Sequence, residues 1–284
     1  MRIEVKNLTH VYMSGTPFCH TALDDVNLTI EQGEFVGIIG HTGSGKSTLL
    51  TAMAGLNKPT SGQILMDGRD IYDKKLDKKW LRSNVGVVFQ YPEYQLFEET
   101  VEKDIEFGPK KLGLEQDEIT KRVIESMALA GIDYDEYRNK SPFELSGGQK
   151  RKVAIAGVLA LKPNVLFMDE PIAGLDPMSR DALMNMTVEL NKKGVTIVMI
   201  SHNMEGIAEY ATRVIAFSES KLMADGTPRE VFARHEVIKN SGLELPFSAQ
   251  LVYELNKRGC DLPDSLIKYD ETLSAIINSR RENR

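Results

Sequence analysis

Residues 35–50 read FVGIIGHTGSGKSTLL, and this stretch decides the fold of the chain. The apolar run 35–39 predicts a short buried strand. The loop 40–47 matches G-x-x-x-x-G-K-[ST] without a departure, and its glycines allow successive backbone N–H groups to surround a phosphate. Helix-forming residues follow over 46–56, and a helix N-terminus adds partial positive charge at the same point. The stretch therefore predicts a site for the phosphates of a nucleotide.

Two side chains of this loop have the chemistry that such a site needs. Lys46 is placed to reach the β- and γ-phosphates of a nucleoside triphosphate, and the Ser47 hydroxyl is a ligand for Mg²⁺. The alternative interpretation is a glycine-rich turn between two core elements. The order of strand, loop and helix favours the nucleotide site.

The composition is that of a soluble globular protein with one large α/β domain, or with one domain and an appendage. The chain has 284 residues, of which 42% are hydrophobic and 27% are charged. A net charge of −6 argues against broad nucleic-acid binding, so we expect no nucleic-acid partner. No signal peptide or transmembrane run is evident, and Cys19 and Cys260 have no metal-ligand spacing. These features indicate a reducing, cytoplasmic compartment.

The spacing of apolar residues predicts the other elements of the chain. The first three strands would form an antiparallel β-layer around the nucleotide strand, and the next strand would end at Gln90. The predicted strands are 3–12, 22–30, 63–66, 85–89, 164–169 and 195–200; the predicted helices are 115–138, 150–161, 177–193, 249–257, 272–279 and a short helix ending at 232.

A second glycine-containing motif, Leu145-Ser-Gly-Gly-Gln149, opens a predicted helix. Adjacent glycines at a helix start expose backbone N–H groups to an anion, and one chain rarely needs two such cradles for one nucleotide. The pentapeptide is similar to the signature of the ATP-binding-cassette (ABC) ATPases. In that family, two cassettes hold ATP between the phosphate loop of one subunit and the signature of the other. The resemblance implies that Ser146, Gly147, Gly148 and Gln149 contact the ATP of the opposite subunit.

Other positions match the family motifs in the correct order. Glu170 matches the catalytic glutamate, His202 the switch histidine, and Gln90 the glutamine that lines the site. Asp169 ends a run similar to the Walker B strand, and Asp176 lies in a segment that resembles the loop at the dimer interface. The resemblance implies Mg²⁺ ligands at Ser47, Gln90 and Asp169. It implies ATP contacts at Tyr12, Gly40, His41, Thr42, Gly43, Ser44, Gly45, Lys46, Ser47 and Thr48.

One position has two interpretations, and one segment departs from the family pattern. The spacing around Tyr12 is compatible with a core aromatic or with an exposed ring that stacks on adenine, and the resemblance favours stacking. Ile172 and Ala173 depart from the threonine and serine that are more usual before Gly174. The charged residues are all present, so the departure does not predict a loss of activity. The presence of Glu170 and His202 also argues against a module that binds ATP without hydrolysing it.

A narrower resemblance concerns the loop after Gln90. The segment Pro92-Glu-Tyr-Gln-Leu-Phe97 is similar to that of the energy-coupling-factor (ECF) ATPases of vitamin and transition-metal importers, and 100–109, His41-Thr42 and the 15–17 insertion extend the likeness. The resemblance implies an integral membrane scaffold and a substrate-binding membrane subunit, docked near 91–97. Alternatively, the aromatic residues of this loop pack within the helical subdomain.

The predicted architecture is α/β: a P-loop NTPase core with a mixed sheet and flanking helices, an antiparallel β-layer, a helical subdomain and a C-terminal helical extension. The cassette would cover 1–233, with the helical subdomain at about 91–162, and the extension 234–284 would either contact a second ATPase or pack privately. We expect an ATPase at the cytoplasmic face of the membrane, working as a homodimer or with a paralogue. The alternatives are an ordinary ABC importer subunit and a non-transport ABC ATPase.

Overall fold

The computed structural model describes residues 1–240 and 242–282, and these residues form two sheets flanked by helices. The antiparallel sheet has the strand order β2-β1-β4-β5, and the larger sheet has the order β10-β9-β3-β8-β7-β6. The strands are β1 (Ile3–Tyr12), β2 (His20–Ile30), β3 (Phe35–Gly40), β4 (Ser61–Met66), β5 (Arg69–Asp70), β6 (Val85–Val88), β7 (Val165–Asp169), β8 (Thr196–Ile200), β9 (Arg213–Ser218) and β10 (Lys221–Gly226).

Strand β3 lies at the centre of the larger sheet and is buried along its whole length. Val36 and Ile38 pack into a core shared with the antiparallel sheet, whereas Phe35 and Ile39 pack into a second core on the opposite face. Successive side chains of a strand point to opposite faces, so one apolar run supplies both cores. Strands β6 to β9 run parallel to β3, and only β10 is antiparallel to its neighbour.

The helices cover both faces of the larger sheet. Those that lie between β6 and β7 in the sequence form a separate layer. They are α1 (Lys46–Met53), α2 (Lys78–Asn84), α3 (Val101–Leu112), α4 (Gln116–Leu129), α5 (Tyr134–Tyr137), α6 (Gly147–Leu159), α7 (Pro177–Lys192), α8 (Met204–Tyr210), α9 (Pro228–Phe232), α10 (His235–Asn240), α11 (Phe247–Lys257) and α12 (Tyr269–Glu282). A third core, built from residues between Leu96 and Ala160, holds α3, α4 and α6 together. It lies within the predicted helical subdomain.

The prediction of one helix over 115–138 is wrong, because the chain breaks between α4 and α5. Gly131 has φ +69°, a left-handed conformation that ends helices. Asp133 then starts a new turn by accepting a hydrogen bond from the backbone N–H of Glu136 at 2.8 Å. Apolar periodicity continued across the break and concealed it. Helices α2, α3, α8 and α10 and strands β5, β9 and β10 were not predicted.

The C-terminal extension packs onto the cassette. Leu243, Leu245, Ala249 and Ile267 are buried in the second core, together with residues of α7 and α8. The last two residues of the predicted extension, 283 and 284, lie outside the described residues. Within 1–240 and 242–282, no helix has the length and apolar character needed to cross a bilayer. Cys19 and Cys260 are exposed and free.

Candidate active site

The phosphate-binding loop connects β3 to α1, as predicted. Gly45 precedes α1 with φ +106°, and a Cβ there would lie 2.2 Å from the carbonyl oxygen of Ala22. A Cβ on Gly40 would lie 2.6 Å from the carbonyl oxygen of Phe217. Both positions therefore require glycine, since the neighbouring backbone leaves no room for a side chain.

Lys46 is only 6% exposed, at the base of this loop. Its Nζ donates hydrogen bonds to the carbonyl oxygens of Gly40 at 2.7 Å and His41 at 2.8 Å. Burial lowers the pKa of Lys46, and the nearby carboxylates of Glu170 and Asp169 oppose that shift. Ser44 lies beneath the loop, and its buried hydroxyl has no hydrogen-bond partner among the described residues. Lys46 places a positive charge at the base of the loop, beside the N-terminus of α1. Together they favour the binding of an anionic ligand.

The ends of three parallel strands bring acidic and polar side chains to the loop. Strand β7 ends at Asp169, which pairs in register with Ile200 at the end of β8. Glu170 follows the first strand and His202 follows the second, while Gln90 lies two residues beyond β6. Because carboxyl ends of parallel strands meet at one edge, residues distant in sequence share this cleft.

Glu170 and His202 interact through both side chain and backbone. The backbone N–H of His202 donates to Glu170 Oε2 at 3.3 Å, and His202 Nε2 lies 3.4 Å from Oε1. Burial raises the pKa of Glu170; His202 and its backbone N–H oppose the rise, and Asp169 adds to it. Glu170 also has φ +48°, which is uncommon for a residue with a side chain and frequent at functional sites. The raised pKa makes this carboxyl group a stronger proton acceptor than an exposed glutamate.

These residues line one cleft of about 950 Å³. The predicted site residues on its wall are Tyr12, Thr42, Gly43, Gly45, Lys46, Ser47, Thr48, Gln90, Asp169, Glu170 and His202. Gly40, His41 and Ser44 do not line the cleft. The carbonyl oxygens of Gly40 and His41 accept hydrogen bonds from Lys46.

Ten further wall residues were not predicted as site residues: His20, Ala22, Ile172, Ala173, Leu175, Arg180, Ile200, Ser201, Asn203 and Glu205. One signal could have indicated His20, since it pairs with Tyr12 in the hairpin of β1 and β2. Ala173, Ser201 and Asn203 lie within three residues of the predicted Glu170 or His202, which could have indicated them, whereas tertiary packing brings Arg180 to the cleft. Asn203 also caps α8 by accepting from the N–H of Gly206 at 2.9 Å.

Tyr12 is 41% exposed and lies on the cleft wall, so the interpretation as a core aromatic is wrong. Its hydroxyl forms hydrogen bonds with Thr48 Oγ1 at 3.2 Å and with Asn57 Nδ2 at 3.1 Å. The ring of His10 packs edge-on against it, with ring centroids 4.5 Å apart. The tyrosine ring is therefore held in place while much of its surface stays exposed on the cleft wall.

The signature motif lies outside this cleft, at the exposed start of α6. Ser146 and Gln149 form a capping box, in which each side chain bonds the backbone of the other. A Cβ on Gly147 or Gly148 would meet nothing within 4 Å, so the backbone there is open to solvent. Asp176 is also exposed and caps α7 by accepting from the N–H of Ser179 at 3.0 Å. The signature motif and Asp176 therefore lie on exposed surface, separate from the cleft.

The aromatic loop after Gln90 is divided between core and surface. Leu96 is buried in the third core, whereas Tyr94 is 84% exposed and Phe97 is 55% exposed. Phe97 packs edge-on against Phe107, with ring centroids 4.9 Å apart. Leu96 therefore packs within the helical subdomain, as the alternative interpretation of this loop predicts, whereas Tyr94 does not.

The residues of the cleft fit ATP and Mg²⁺. The loop provides N–H groups and Lys46 for phosphates, and the Ser47 hydroxyl, the Asp169 carboxylate and the Gln90 amide are oxygen ligands of the kind that Mg²⁺ binds. No cluster of three His, Cys, Asp or Glu side chains suits a metal within the part of the chain that the structure describes. Mg²⁺ usually takes one or two protein ligands together with substrate phosphates, so the two observations agree.

Comparisons with known proteins identify the family of the chain. The sequence pattern of the family described as "ABC transporter" matches residues 23–173. The energy-coupling factor transporter ATP-binding protein EcfA2 of Clostridium perfringens is 49% identical over 284 residues, covering 100% of both chains. Its namesake in Clostridioides difficile is 50% identical over 279 residues, covering 98% of this chain and 97% of its own.

Two solved structures are similar over most of their length. The cbiO1 protein from Clostridium perfringens, described as part of the ABC transporter complex cbiONQ, has a TM-score of 0.73 and 40% identity, covering 88% of this chain and 98% of its own. A dimeric ATP-binding cassette in a post-hydrolysis state with ADP and Pi has a TM-score of 0.71 and 31% identity, covering 80% and 98%. The chain therefore belongs to the ABC transporter ATP-binding proteins, in the branch of the energy-coupling factor transporters.

Proposed function

We propose that this chain is the ATP-hydrolysing subunit of an energy-coupling factor importer and works as one half of an ATPase pair. The observation that carries the proposal is the separation of the cleft from the exposed signature motif. Lys46, Glu170 and His202 line the cleft, whereas the backbone of Gly147 and Gly148 faces solvent elsewhere. One chain therefore holds two half-sites, and a second ATPase completes both of them.

The chemistry is the transfer of the γ-phosphoryl group of ATP to water. Lys46 and the loop amides stabilise the charge that develops on the phosphoryl oxygens, together with Ser146, Gly147 and Gly148 of the second ATPase. Glu170 accepts a proton from the attacking water as the bond from the γ-phosphorus to the bridging oxygen breaks, which releases ADP and phosphate. His202 holds the carboxyl group of Glu170 in place. Tyr12 stacks on the adenine.

Ser47, Asp169 and Gln90 would hold Mg²⁺, which neutralises charge on the β- and γ-phosphates. Gln90 also connects the cleft to the aromatic loop, because the loop 91–97 begins at the next residue. Movement of that loop would therefore alter the geometry of a residue in the cleft.

The loop 91–97 is the docking site of the membrane partner in this proposal. Tyr94 and Phe97 supply exposed aromatic rings, which are the preferred anchors of protein interfaces. The partner is an integral membrane scaffold with a separate membrane subunit that binds a vitamin or a transition-metal ion. The chain itself lies at the cytoplasmic face of the membrane as a peripheral subunit.

The cassette spans 1–233, with its helical subdomain at about 91–162, and the extension from 234 onward contacts the second ATPase. On α12, the side chains of Tyr269, Leu273 and Ile277 are exposed at successive intervals of four residues. Such spacing forms one apolar stripe on a helix, which a second subunit can cover. An ordinary ABC importer subunit is the second candidate, since the cleft alone fits it equally well.

The decisive experiment is affinity purification of the tagged chain from membranes of its native host. We expect a second ATPase and at least two integral membrane proteins in a complex that hydrolyses Mg-ATP. Recovery of a folded, active ATPase without a membrane scaffold would overturn the importer proposal. Recovery with a soluble solute-binding protein would favour the ordinary importer.

A further inference from the structure

Arg151 is a buried cation that the proposed chemistry does not use. It lies on α6, five residues after Ser146, and is only 4% exposed. Its Nη1 donates to the carbonyl oxygen of Ala173 at 2.9 Å, and its Nη2 donates to the carbonyl oxygen of Pro171. Both carbonyls belong to the segment that directly follows Glu170. The guanidinium therefore fastens the signature helix to the catalytic segment of the same chain.

A third segment meets the other two at this guanidinium. Burial lowers the pKa of Arg151, and the nearby Glu93 and Tyr91 oppose that shift. The ring of Tyr91 also lies 3.9 Å from the position of a Cβ on Gly174. The docking loop, the catalytic segment and the signature helix thus converge on one side chain.

The junction retains unused hydrogen-bonding capacity. Among the described residues, neither Arg151 Nε nor Glu93 Oε2 has a hydrogen-bond partner, although both atoms are buried. Buried charged groups are costly when they are unpaired, so a displacement of the signature helix or of the docking loop that changes their pairing changes the energy of this junction.

We propose that Arg151 is a positioning residue that couples the signature end of α6 to the segment after Glu170, so that ATP bound at one site of the dimer aligns Glu170 at the other. This rests on the proposed two-site dimer. The rigid backbone of α6 carries a displacement from Gly147 to Arg151 within about one turn. The two carbonyl bonds then transfer it to the residue next to Glu170.

The test uses Arg151→Gln and Arg151→Lys in the full-length ATPase pair, with Lys152→Gln as the matched control. Lys152 is the next residue on α6, but its Nζ donates to the carbonyl of Gly131 at 3.2 Å, away from the catalytic segment. Lysine keeps the charge but not the planar fork that reaches two carbonyls. We expect both Arg151 variants to lower kcat about 10- to 100-fold, the scale of a misaligned catalytic group. Their Kd for ATP should change less than about twofold, and the Hill coefficient for ATP should fall towards 1.

Glu93→Gln provides a second test that leaves both carbonyl bonds of Arg151 in place. It keeps the shape of the side chain and removes the charge beside the guanidinium, so we expect a reduced Hill coefficient with a normal unfolding temperature. A wild-type Hill coefficient in Arg151→Gln and Glu93→Gln would overturn the proposal, as would a coefficient near 1 in the wild type. The proposed catalytic site is judged separately by Glu170→Gln, so the two failures are distinguishable.

Discussion

The imidazole Nε2 of His202 lies 3.4 Å from Oε1 of Glu170, and the backbone N–H of His202 donates to the other carboxyl oxygen at 3.3 Å. The two residues follow neighbouring parallel strands, β7 and β8. One carboxyl oxygen is thus held by the backbone. The other is buried beside the imidazole and has no hydrogen-bond partner within the described part of the chain.

Glu170→Gln should reduce steady-state hydrolysis by at least about 10²-fold, because the amide cannot accept the proton of the attacking water. ATP binding should persist, so the ATP-bound dimer should accumulate. Phosphate release and size-exclusion chromatography with Mg-ATP measure the two effects. Glu209→Gln is a suitable control, since Glu209 is an exposed carboxylate on α8 that pairs with Lys268. Turnover like that of the wild type in Glu170→Gln would remove Glu170 from the catalytic role.

The same substitution should raise stability at neutral pH. Because burial raises the pKa of Glu170 in the folded state, its contribution to stability is complete below the unfolded pKa of about 4.3 and is lost as pH rises through the folded value. We therefore expect a higher unfolding temperature for Glu170→Gln at pH 7 without nucleotide. The difference from the wild type should shrink as the pH approaches 4, as thermal unfolding between pH 4 and 8 can measure. A constant difference would contradict the raised pKa.

Lys46→Ala should weaken ATP binding by about 10- to 100-fold, the value of a charge-assisted hydrogen bond of roughly 1.5–3 kcal/mol. Without nucleotide, the ammonium bonds the carbonyls of Gly40 and His41, so the variant also loses stability, and thermal unfolding should confirm that it is folded in the binding assay. Equilibrium binding of a fluorescent ATP analogue measures the effect. Lys58→Ala, at an exposed lysine, is the control. Unchanged affinity in Lys46→Ala would contradict the phosphate-binding role.

Tyr94→Ser and Phe97→Ser should each weaken assembly with the membrane scaffold by about 2 kcal/mol, as truncation of an aromatic anchor does. Hydrolysis by the isolated ATPase pair should be unchanged. Met223→Ser, at an exposed apolar position on β10, controls for general loss of apolar surface. Assembly can be measured by titration of the detergent-solubilised scaffold. Equal losses in all three variants would argue against docking at this loop.

Leu273→Asp and Ile277→Asp should weaken pairing of the ATPases about tenfold, since each buries a charge in the apolar stripe of α12. Ser274→Asp places the same charge on the same helix, beside this stripe, and should have less effect. Analytical ultracentrifugation with ATP measures the pairing. Equal dimer formation in all variants would support private packing of the extension instead.

Much of the cleft could be predicted because its backbone demands are local. The glycines at 40 and 45, the lysine and the helix that follows occur consecutively, and β3 and α1 confirm the predicted strand and helix. The helix caps at Ser146 and Asp176 likewise depend only on residues nearby in the sequence. The resemblance, rather than the spacing, indicated Gln90, Glu170 and His202, and their roles in catalysis stay predictions.

The sequence by itself determined the phosphate-binding loop, since positive φ angles and exposed N–H groups at fixed spacing require particular residues at particular positions. Tertiary structure alone decided which distant residues join that loop. Strand register brings His202 to Glu170. Packing of α6 against the segment after Glu170 gives Arg151 its two carbonyl partners. These contacts depend on sheet order and helix packing, which no local pattern of residues encodes.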